Sequence, residues 1–299
     1  MRALVREGSD LSLLEGLDVE RRVGDLRNKA SLRAVVSGME RIFHIAAVYR
    51  EARLPDSYYR EVNVEGTRAL AEAAVAEGGV PFLYCSTCGV HGEVAPPADE
   101  RSPVNPGDIY QRTKVDAERV VMAFHREQGL PVVILRPVGI YGPGDTRFLK
   151  LFKGVARRRF PMIGSGNVQY HLTHVEDIAR GFMKASELSG VNGEAFILAG
   201  PTYTTVRELV ELIAKAAGVA PPRLRLPTMP IYALSVLCEG LCRPLGLEPP
   251  LHRRRLDFFR KDRAFNIDKA RRVLGWEPTV ELEPGIAATL KWYRDAGWV

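Results

Sequence analysis

The chain has 299 residues, of which 46% are hydrophobic and 26% are charged, and its formal net charge is +6. Such a chain can bury a large core, which excludes a disordered or fibrous protein. The positive charge is modest and has no interleaved aromatic residues or binding motif beside it, so no nucleic-acid partner is expected. Charged residues, among them Arg2 and Arg6, interrupt any apolar run at the N-terminus, which argues against a signal peptide.

Strand and helix patterns alternate along the chain, and this alternation predicts a parallel α/β sheet. The predicted strands cover residues 2–5, 19–23, 41–46, 82–85 and 132–135. The predicted helices cover residues 30–36, 56–76 and 110–128. Proline and glycine become dense from Gly142 onward, which predicts a second, loop-rich lobe. We therefore expect residues 1–142 to form the nucleotide-binding domain, to which residues 172–200 return, and residues 143–171 and 201–299 to form the smaller lobe.

The longest apolar helix candidate, residues 230–242, is too short to span a bilayer. Membrane contact is therefore not expected, and a cytoplasmic protein is. The cysteines lie in apolar segments, where thiols usually act as small hydrophobes. The spacing of Cys85 with Cys88, and of Cys238 with Cys242, leaves a four-thiolate zinc site as the alternative, but the prediction is that no metal is bound.

Tyr110 and Lys114 are the most informative residues of the sequence. Residues four apart on a helix share a face, with Cβ atoms roughly 5–6 Å apart, so this spacing sets an ammonium group beside a phenol. A cation at ~4 Å with an effective dielectric of ~20 supplies about the ~4 kcal/mol that moves a phenolic pKa from ~10 to ~7. Such a tyrosine can exchange a proton with an alcohol or carbonyl while a hydride moves elsewhere. The alternative is an amphipathic helix that carries Tyr and Lys by chance.

The motifs around this pair follow a definite order. Ser86 and Thr87 end the strand before the Tyr-x-x-x-Lys helix, Arg136-Pro137-Val138 follows the next strand, and Leu274-Gly275-Trp276 lies near the C-terminus. This series resembles the extended short-chain dehydrogenase/reductases, specifically the NAD-dependent epimerase/dehydratase family, over nearly all of the chain. The resemblance implies a doubly wound parallel, Rossmann-like sheet and a small-molecule substrate. It also implies a homodimer that is formed by the helices of residues 56–76 and 110–128.

One motif of the resembled family is absent. A glycine-rich turn should follow the first strand and bind the cofactor diphosphate, but residues 1–6 resemble the second strand of the family. Gly164-Ser165-Gly166 lacks a third glycine and follows the Tyr110 helix, so it is rejected as this turn. We therefore expect a sheet that lacks its first, central strand, through a late start of the reading frame or a true truncation. Unpaired strand edges would then weaken folding or dinucleotide binding.

The resemblance also implies the catalytic roles. Thr87 would hydrogen-bond the substrate oxygen, with Ser86 as the neighbouring candidate for that role. Tyr110 would be the general acid or base, and Lys114 would also hold the hydroxyls of the nicotinamide ribose. A Thr87 hydroxyl that only caps the strand end is the structural alternative.

The cofactor is expected to be NAD or NADP. Asp25 and Leu26 resemble the family's adenine contact, although Asp25 could equally cap the following helix. Arg6 stands where many epimerases have an acidic residue, and an arginine there suits a 2′-phosphate, so NADP is favoured. The remaining residues that are expected to contact the cofactor are Ala46, Ala47, Val48, Asn63, Cys85, Pro137 and Val138.

Three functions remain open. The first is oxidation, reduction or epimerisation of a nucleotide-sugar, with the arginines of residues 157–159 or 253–255 holding the diphosphate. The second is oxidation or reduction of a hydrophobic alcohol or ketone. Residues 249–259 favour it because they resemble the tail of hydroxysteroid dehydrogenase-like and dihydroflavonol reductase-like enzymes, and the apolar stretch of residues 231–241 fits such a substrate. The third is a truncated, inactive binding protein. Dehydration is disfavoured because Cys88-Gly89 stands where dehydratases of the family carry Asp-Glu. His91 replaces a tyrosine common in the family.

Overall fold

A computed structural model describes residues 1–49, 54–242 and 256–299. The chain divides into two compact units, each built from segments distant in sequence. The first unit contains Met1–Gly92, Val104–Arg136 and Phe182–Ala195, and the second contains Glu93–Pro103, Pro137–Gly181 and Phe196–Val299.

These limits correct the expected division at four places. Residues 93–103, 137–142, 172–181 and 196–200 belong to the second unit. Their hydrogen bonds explain the assignment, because the Ala98 amide donates to the Ala264 carbonyl at 2.9 Å and the Ile197 amide donates to the Glu100 carboxylate at 2.8 Å. Residues 139–141 likewise pair with residues 172–174 inside the second unit.

The first unit alternates parallel strands with helices, as the sequence predicts. Its strands are β1 (Arg2–Val5), β2 (Glu20–Val23), β3 (Ile42–His44), β4 (Phe82–Cys85) and β5 (Val132–Pro137), of which only Pro137 lies beyond the unit. Its helices are α1 (Lys29–Val36), α2 (Asp56–Arg60), α3 (Gly66–Ala76) and α4 (Ile109–Gln128).

These strands form two separate sheets. β1 pairs with β2 in parallel, and a four-stranded sheet has the order β10-β5-β4-β3, in which β10 (Glu194–Leu198) begins in the first unit. Among the described residues no strand pairs with the other edge of β1 or of β3. The parallel α/β architecture is confirmed, while the absence of a central strand stays a prediction.

One core holds both sheets to the helices. Apolar side chains from α3, α4, β4 and β5 pack together, and Leu4 of β1 and Ile42 of β3 pack against the same cluster. Residues 56–76, which were predicted as one helix, contain a π-helical turn, Glu61–Glu65, between α2 and α3. Such π turns inside α-helices occur often at functional sites.

The second unit is built from short strand pairs and helices around its own core. Its strands are β6 (Gly139–Tyr141), β7 (Met162–Ile163), β8 (Gln169–Tyr170), β9 (Leu172–His174), β11 (Thr204–Thr205) and β12 (Arg225–Leu226). Its helices are α5 (Leu149–Ala156), α6 (Val175–Glu187, which runs on into the first unit), α7 (Val206–Ala217), α8 (Thr228–Cys242) and α9 (Leu282–Asp295).

A buried carboxylate joins distant parts of this unit. Asp177 at the start of α6 accepts hydrogen bonds from the Thr279 and Val280 amides at 2.9 and 3.1 Å, and it also pairs with Arg180. The helix α8 has the reverse of the usual polarity, because it buries Ser235 and Glu239 and exposes Leu237 and Leu241. No helix in the described part of the chain combines the length and the apolar character needed to cross a membrane.

Candidate active site

The carboxyl end of β4 leads directly into the expected hydroxyl pair. The Ser86 amide donates to the Leu135 carbonyl of β5 at 2.7 Å, which continues the ladder, and the Ser86 side chain is buried. Its Oγ has no hydrogen-bond partner within the described residues. The Thr87 Oγ1 accepts from the Gly89 amide at 3.0 Å and so caps the short turn that follows. That cap uses a lone pair, while a hydroxyl keeps its own proton for donation.

The helix α4 presents Tyr110 and Lys114 on one face. The Asp108 carboxylate begins the helix by accepting from the Gln111 amide at 2.9 Å, and Gly129 ends it with a φ of 68°. A capped helix of 20 residues gives both side chains a rigid support. The Tyr110 ring is half-buried and packs edge-on against Tyr49, with ring centroids 4.6 Å apart.

Lys114 is buried under the end of β4. Its ammonium donates to the Cys85 carbonyl and lies 4.2 Å from the centroid of the Tyr84 ring. Burial lowers the pKa of Lys114 to about 8, against the nearby Cys85 and Glu118, which raise it. The lysine therefore remains largely protonated at neutral pH. The structure thus brings together Lys114 and the strand end that bears Ser86.

The sequence did not identify the residues next to this lysine. Glu118, one turn further along α4, receives a bidentate pair from Arg136 at 2.9 and 2.6 Å, and both side chains are buried. The guanidinium of Arg136 also lies 3.3 Å from His91 Nε2. The one available sign was charge, because Glu118 and Arg136 are charged residues in otherwise apolar segments.

Asn63, in the π turn, fixes the loop after β3. Its side chain accepts from the Val48 amide at 2.7 Å and donates to the Val48 carbonyl at 3.1 Å, and it also donates to Thr113 Oγ1 at 3.0 Å. The predicted segment around Val48 is therefore held against α4, with Ala46 exposed and Ala47 half-buried. The local hydrogen bonding that the sequence left as an alternative for Asn63 is what the structure contains.

The two residues expected at the ribose and adenine end lie after β1 and β2. Arg6 is exposed, and Asp25 is half-buried with its carboxylate 3.0 Å from Arg27. Arg27 mainly, and Arg6 to a smaller extent, lower the pKa of Asp25. Helix α1 is capped by Asn28, whose side chain accepts from the Ala30 and Ser31 amides, so the alternative role of Asp25 as the helix cap is wrong. Leu26 is buried in the core of the unit.

The remaining expected positions divide between the units. Cys85 is half-buried, and burial raises the pKa of its thiol. Pro137 and Val138 are buried in the second unit, where the Val138 amide donates to the Leu198 carbonyl at 3.1 Å. The arginines of residues 157–159 are exposed at the end of α5, and those of residues 253–255 lie outside the described part of the chain. Within the described residues, no group of three or more His, Cys, Asp or Glu side chains has metal-binding geometry.

The nicotinamide half of a dinucleotide fits the residues present. Ser86 Oγ is buried without a described partner, and the Lys114 ammonium has three protons to donate, of which the Cys85 carbonyl receives one. For the diphosphate, no glycine-rich turn between a parallel strand and a helix occurs within the described residues. Parallel strands with a Tyr-x-x-x-Lys helix beside a Ser-Thr strand end define the class, a Rossmann-like enzyme of the short-chain dehydrogenase/reductase type.

Comparisons with known proteins agree with this class. The model of the NAD dependent epimerase/dehydratase family matches residues 2–199. A 3-beta-hydroxysteroid dehydrogenase from Mycolicibacterium neoaurum is 30% identical over 290 residues, which cover 91% of this chain and 79% of that protein. Sterol-4-alpha-carboxylate 3-dehydrogenase ERG26 from Saccharomyces cerevisiae is 32% identical and covers 78% of this chain and 71% of its own length.

Two solved structures extend the comparison. The crystal structure of gox2253 is 32% identical with a TM-score of 0.84, and the match covers all of this chain and 91% of that one. The dTDP-glucose 4,6-dehydratase DesIV from Streptomyces venezuelae, with NAD and TYD bound, is 25% identical with a TM-score of 0.77 over 99% of this chain and 88% of that one. The chain belongs to the NAD-dependent epimerase/dehydratase family, a family of enzymes.

Proposed function

We propose that this chain is an NAD(P)-dependent oxidoreductase that interconverts a secondary alcohol and a ketone on a hydrophobic, sterol-like substrate. The observation that carries the redox chemistry is the buried Lys114, one helical turn from Tyr110 and hydrogen-bonded at the strand end that bears Ser86 and Thr87. Two similar proteins, the 3-beta-hydroxysteroid dehydrogenase and the sterol-4-alpha-carboxylate 3-dehydrogenase, are named for sterol substrates, which supports this substrate class.

In the oxidative direction Tyr110 takes the proton from the substrate hydroxyl as the C–H bond breaks. Lys114 favours the deprotonated phenol through its charge and holds ribose hydroxyls, while Thr87 or Ser86 donates a hydrogen bond to the substrate oxygen. A bound nicotinamide would supply the acceptor for the hydride, which leaves the carbon with the electron pair of the C–H bond. In reduction Tyr110 returns the proton to the oxygen. Asn63 contributes by holding Val48 and its loop in place.

A nucleotide-sugar is the second candidate substrate, supported by the likeness to DesIV. A screen of 3β-hydroxysterols, flavonoid alcohols and nucleotide-sugars, followed by reduced nicotinamide absorbance at 340 nm, separates the two. Turnover of nucleotide-sugars alone would refute the sterol-like substrate. If no substrate turns over and no dinucleotide changes the thermal stability, the third hypothesis, an inactive binding protein, would be favoured.

The proposed cofactor preference is for NADP, because an arginine suits a 2′-phosphate better than a ribose hydroxyl. Arg6→Asp should raise the KM for NADP at least about tenfold and leave the KM for NAD unchanged or lower. Arg22→Asp, at an exposed arginine of the neighbouring strand, is the control for the charge change. Equal KM values for NADP in the wild type and in Arg6→Asp would remove Arg6 from the cofactor site.

Assembly and location complete the proposal. A homodimer through α2, α3 and α4 is proposed from the family resemblance, and light scattering after size-exclusion chromatography tests it. The proposed location is the cytoplasm, with no nucleic-acid or membrane partner, and fractionation of cells that express the chain tests this.

A further inference from the structure

The short turn after Thr87, Cys88–His91, is anchored to β5 by two side chains. Cys88 Sγ donates to the Arg136 carbonyl at 3.1 Å, and His91 Nε2 lies 3.3 Å from Arg136 Nη1. Cys88 and His91 are both buried, with His91 fully so. Because they are three residues apart on a 3₁₀ turn, they lie on the same face. One arginine therefore holds the turn through both its backbone and its side chain.

The same arginine is also fixed to α4. Its Nε and Nη2 donate to the two carboxylate oxygens of Glu118 at 2.9 and 2.6 Å. Paired, planar contacts of this kind fix orientation as well as distance. Glu118 lies one turn beyond Lys114, so it projects from the same face of the helix. Arg136 thus connects the turn that begins at Thr87 to the helical face that carries Tyr110 and Lys114.

The contact with Arg136 determines the protonation state of His91. A guanidinium group has only donors, so the nitrogen that faces it must carry a lone pair. His91 Nε2 is therefore unprotonated and the ring is neutral, with its proton on Nδ1. A protonated ring would set two cations 3.3 Å apart and would remove this hydrogen bond. Arg136 from β5 faces the ring, and Glu118 from α4 pairs with the same guanidinium.

We propose that His91 is a positioning residue of the active site, whose neutral Nε2 holds Arg136 and thereby fixes the Thr87 turn relative to Tyr110 and Lys114. Only the activity measurement that tests this proposal depends on the proposed redox function. Its stability readout needs neither a substrate nor a cofactor. His91 touches no reacting atom in this scheme and acts through Arg136.

Two substitutions separate the effect of the hydrogen-bond acceptor of His91 from the effect of the volume of its ring. His91→Gln keeps an accepting oxygen that does not titrate in the acid range, and His91→Phe keeps a ring without an acceptor. His125→Gln, at a half-buried histidine near the end of α4 that bonds the Leu130 carbonyl, is the matched control. The kcat and KM for the substrate found by the screen, and the Tm without ligands, are measured for all four proteins from neutral to acid pH.

We expect kcat and Tm of the wild type and of His125→Gln to fall together on the acid side. In His91→Gln this fall should move at least half a pH unit lower, with neutral kcat kept within about threefold. In His91→Phe kcat should drop at least about tenfold at every pH, with the KM for the dinucleotide within about twofold. Coincident acid limbs of Tm for the wild type and His91→Gln would overturn the proposal, whether or not His91→Phe folds. If no substrate turns over, the proposed function fails, and these Tm curves still decide the role of His91.

Discussion

Tyr110 carries the proton in the proposed reaction, and removing its hydroxyl isolates that role. Tyr110→Phe keeps the ring that packs on Tyr49, so the fold and the dinucleotide affinity should stay within about twofold of the wild type. Turnover should fall at least about 100-fold, the lower end of what a positioned acid or base contributes. Absorbance at 340 nm measures turnover, and Tyr203→Phe, at a 45% exposed tyrosine, is the control. Activity retained in Tyr110→Phe would contradict the role.

Lys114 should make stability depend on alkaline pH. Burial lowers its pKa from 10.5 to about 8, so between these values the unfolded chain binds more protons than the folded one. The free energy of unfolding therefore rises with pH across this window. Relative to Lys114→Met, which cannot titrate, the wild type should gain on the order of 3 kcal/mol. Urea titrations on both sides of the window measure this difference.

The control for this titration is Lys291→Met, at a lysine with 76% of its side chain exposed. Its difference from the wild type should be flat with pH, because folding leaves this side chain largely in water. A difference between the wild type and Lys114→Met that is equally flat would mean that the ammonium reaches water. The proposed support of Tyr110 by a buried charge would then be lost.

Single residues show what the sequence could and could not predict about the site. The four-residue spacing placed Tyr110 and Lys114 on one face because helical geometry alone fixes it. The contact of Lys114 with the Cys85 carbonyl, and of Arg136 with His91, depends on how α4 and the turn pack on the sheet. No local pattern encodes such contacts, and a buried histidine has no periodicity that would distinguish it from a packed one.

At the scale of elements, the turn after β4 depends on a glycine. Gly92 has a φ of 63°, and a Cβ there would collide with the Asn105 backbone carbonyl. Gly129 has a similar φ of 68° but open space around it, so it isolates the cost of the backbone conformation. Gly129→Ala should cost about 1 kcal/mol and Gly92→Ala at least about 3 kcal/mol, measured by urea denaturation. Equal losses in the free energy of unfolding for the two variants would show that the backbone at Asn105 moves away from the new Cβ at little energetic cost.

The helical segment from residue 56 to residue 76 shows how far apolar periodicity predicts a helix. Its extent was predicted correctly, because apolar periodicity persists through α2 and α3. The π turn between them was not predicted, since one extra residue in a turn shifts the pattern by less than its ordinary scatter. The strand at residues 41–46 was predicted too long, and β3 ends at His44. There the ladder with β4 stops, at the pairing of His44 with Tyr84.

At the scale of the whole molecule, the parallel α/β class followed from the alternation of patterns, but the division into units did not. Residues 93–103 lie between two segments of the first unit in sequence, yet they belong to the second. The bridge from Ala98 to Phe265 holds them there across more than 160 residues of chain. A contact so distant in sequence leaves no local pattern, which is why the predicted boundaries needed correction.

The edge and inner strands of the first unit should differ in their protection from hydrogen exchange. β4 is paired on both sides, whereas β1 and β3 each have one edge without a described partner. Alternate amides on such an edge lack a ladder acceptor, so peptides that cover β1 and β3 should exchange faster than those that cover β4 and β5. Deuterium uptake measured by mass spectrometry tests this order. Protection of β1 equal to that of β4 would show that its second edge is covered in solution.

The clamp that Asn63 forms has a consequence for chemical ageing. Hydrolysis of this amide to a carboxylate changes the shape of the side chain very little, yet it replaces the donor that meets the Val48 carbonyl and Thr113 with an acceptor. Two oxygen lone pairs would then oppose each other at the loop after β3. In protein whose Asn63 has deamidated, this repulsion would detach the loop after β3 from Asn63, while the covalent structure of the rest of the chain stays unchanged.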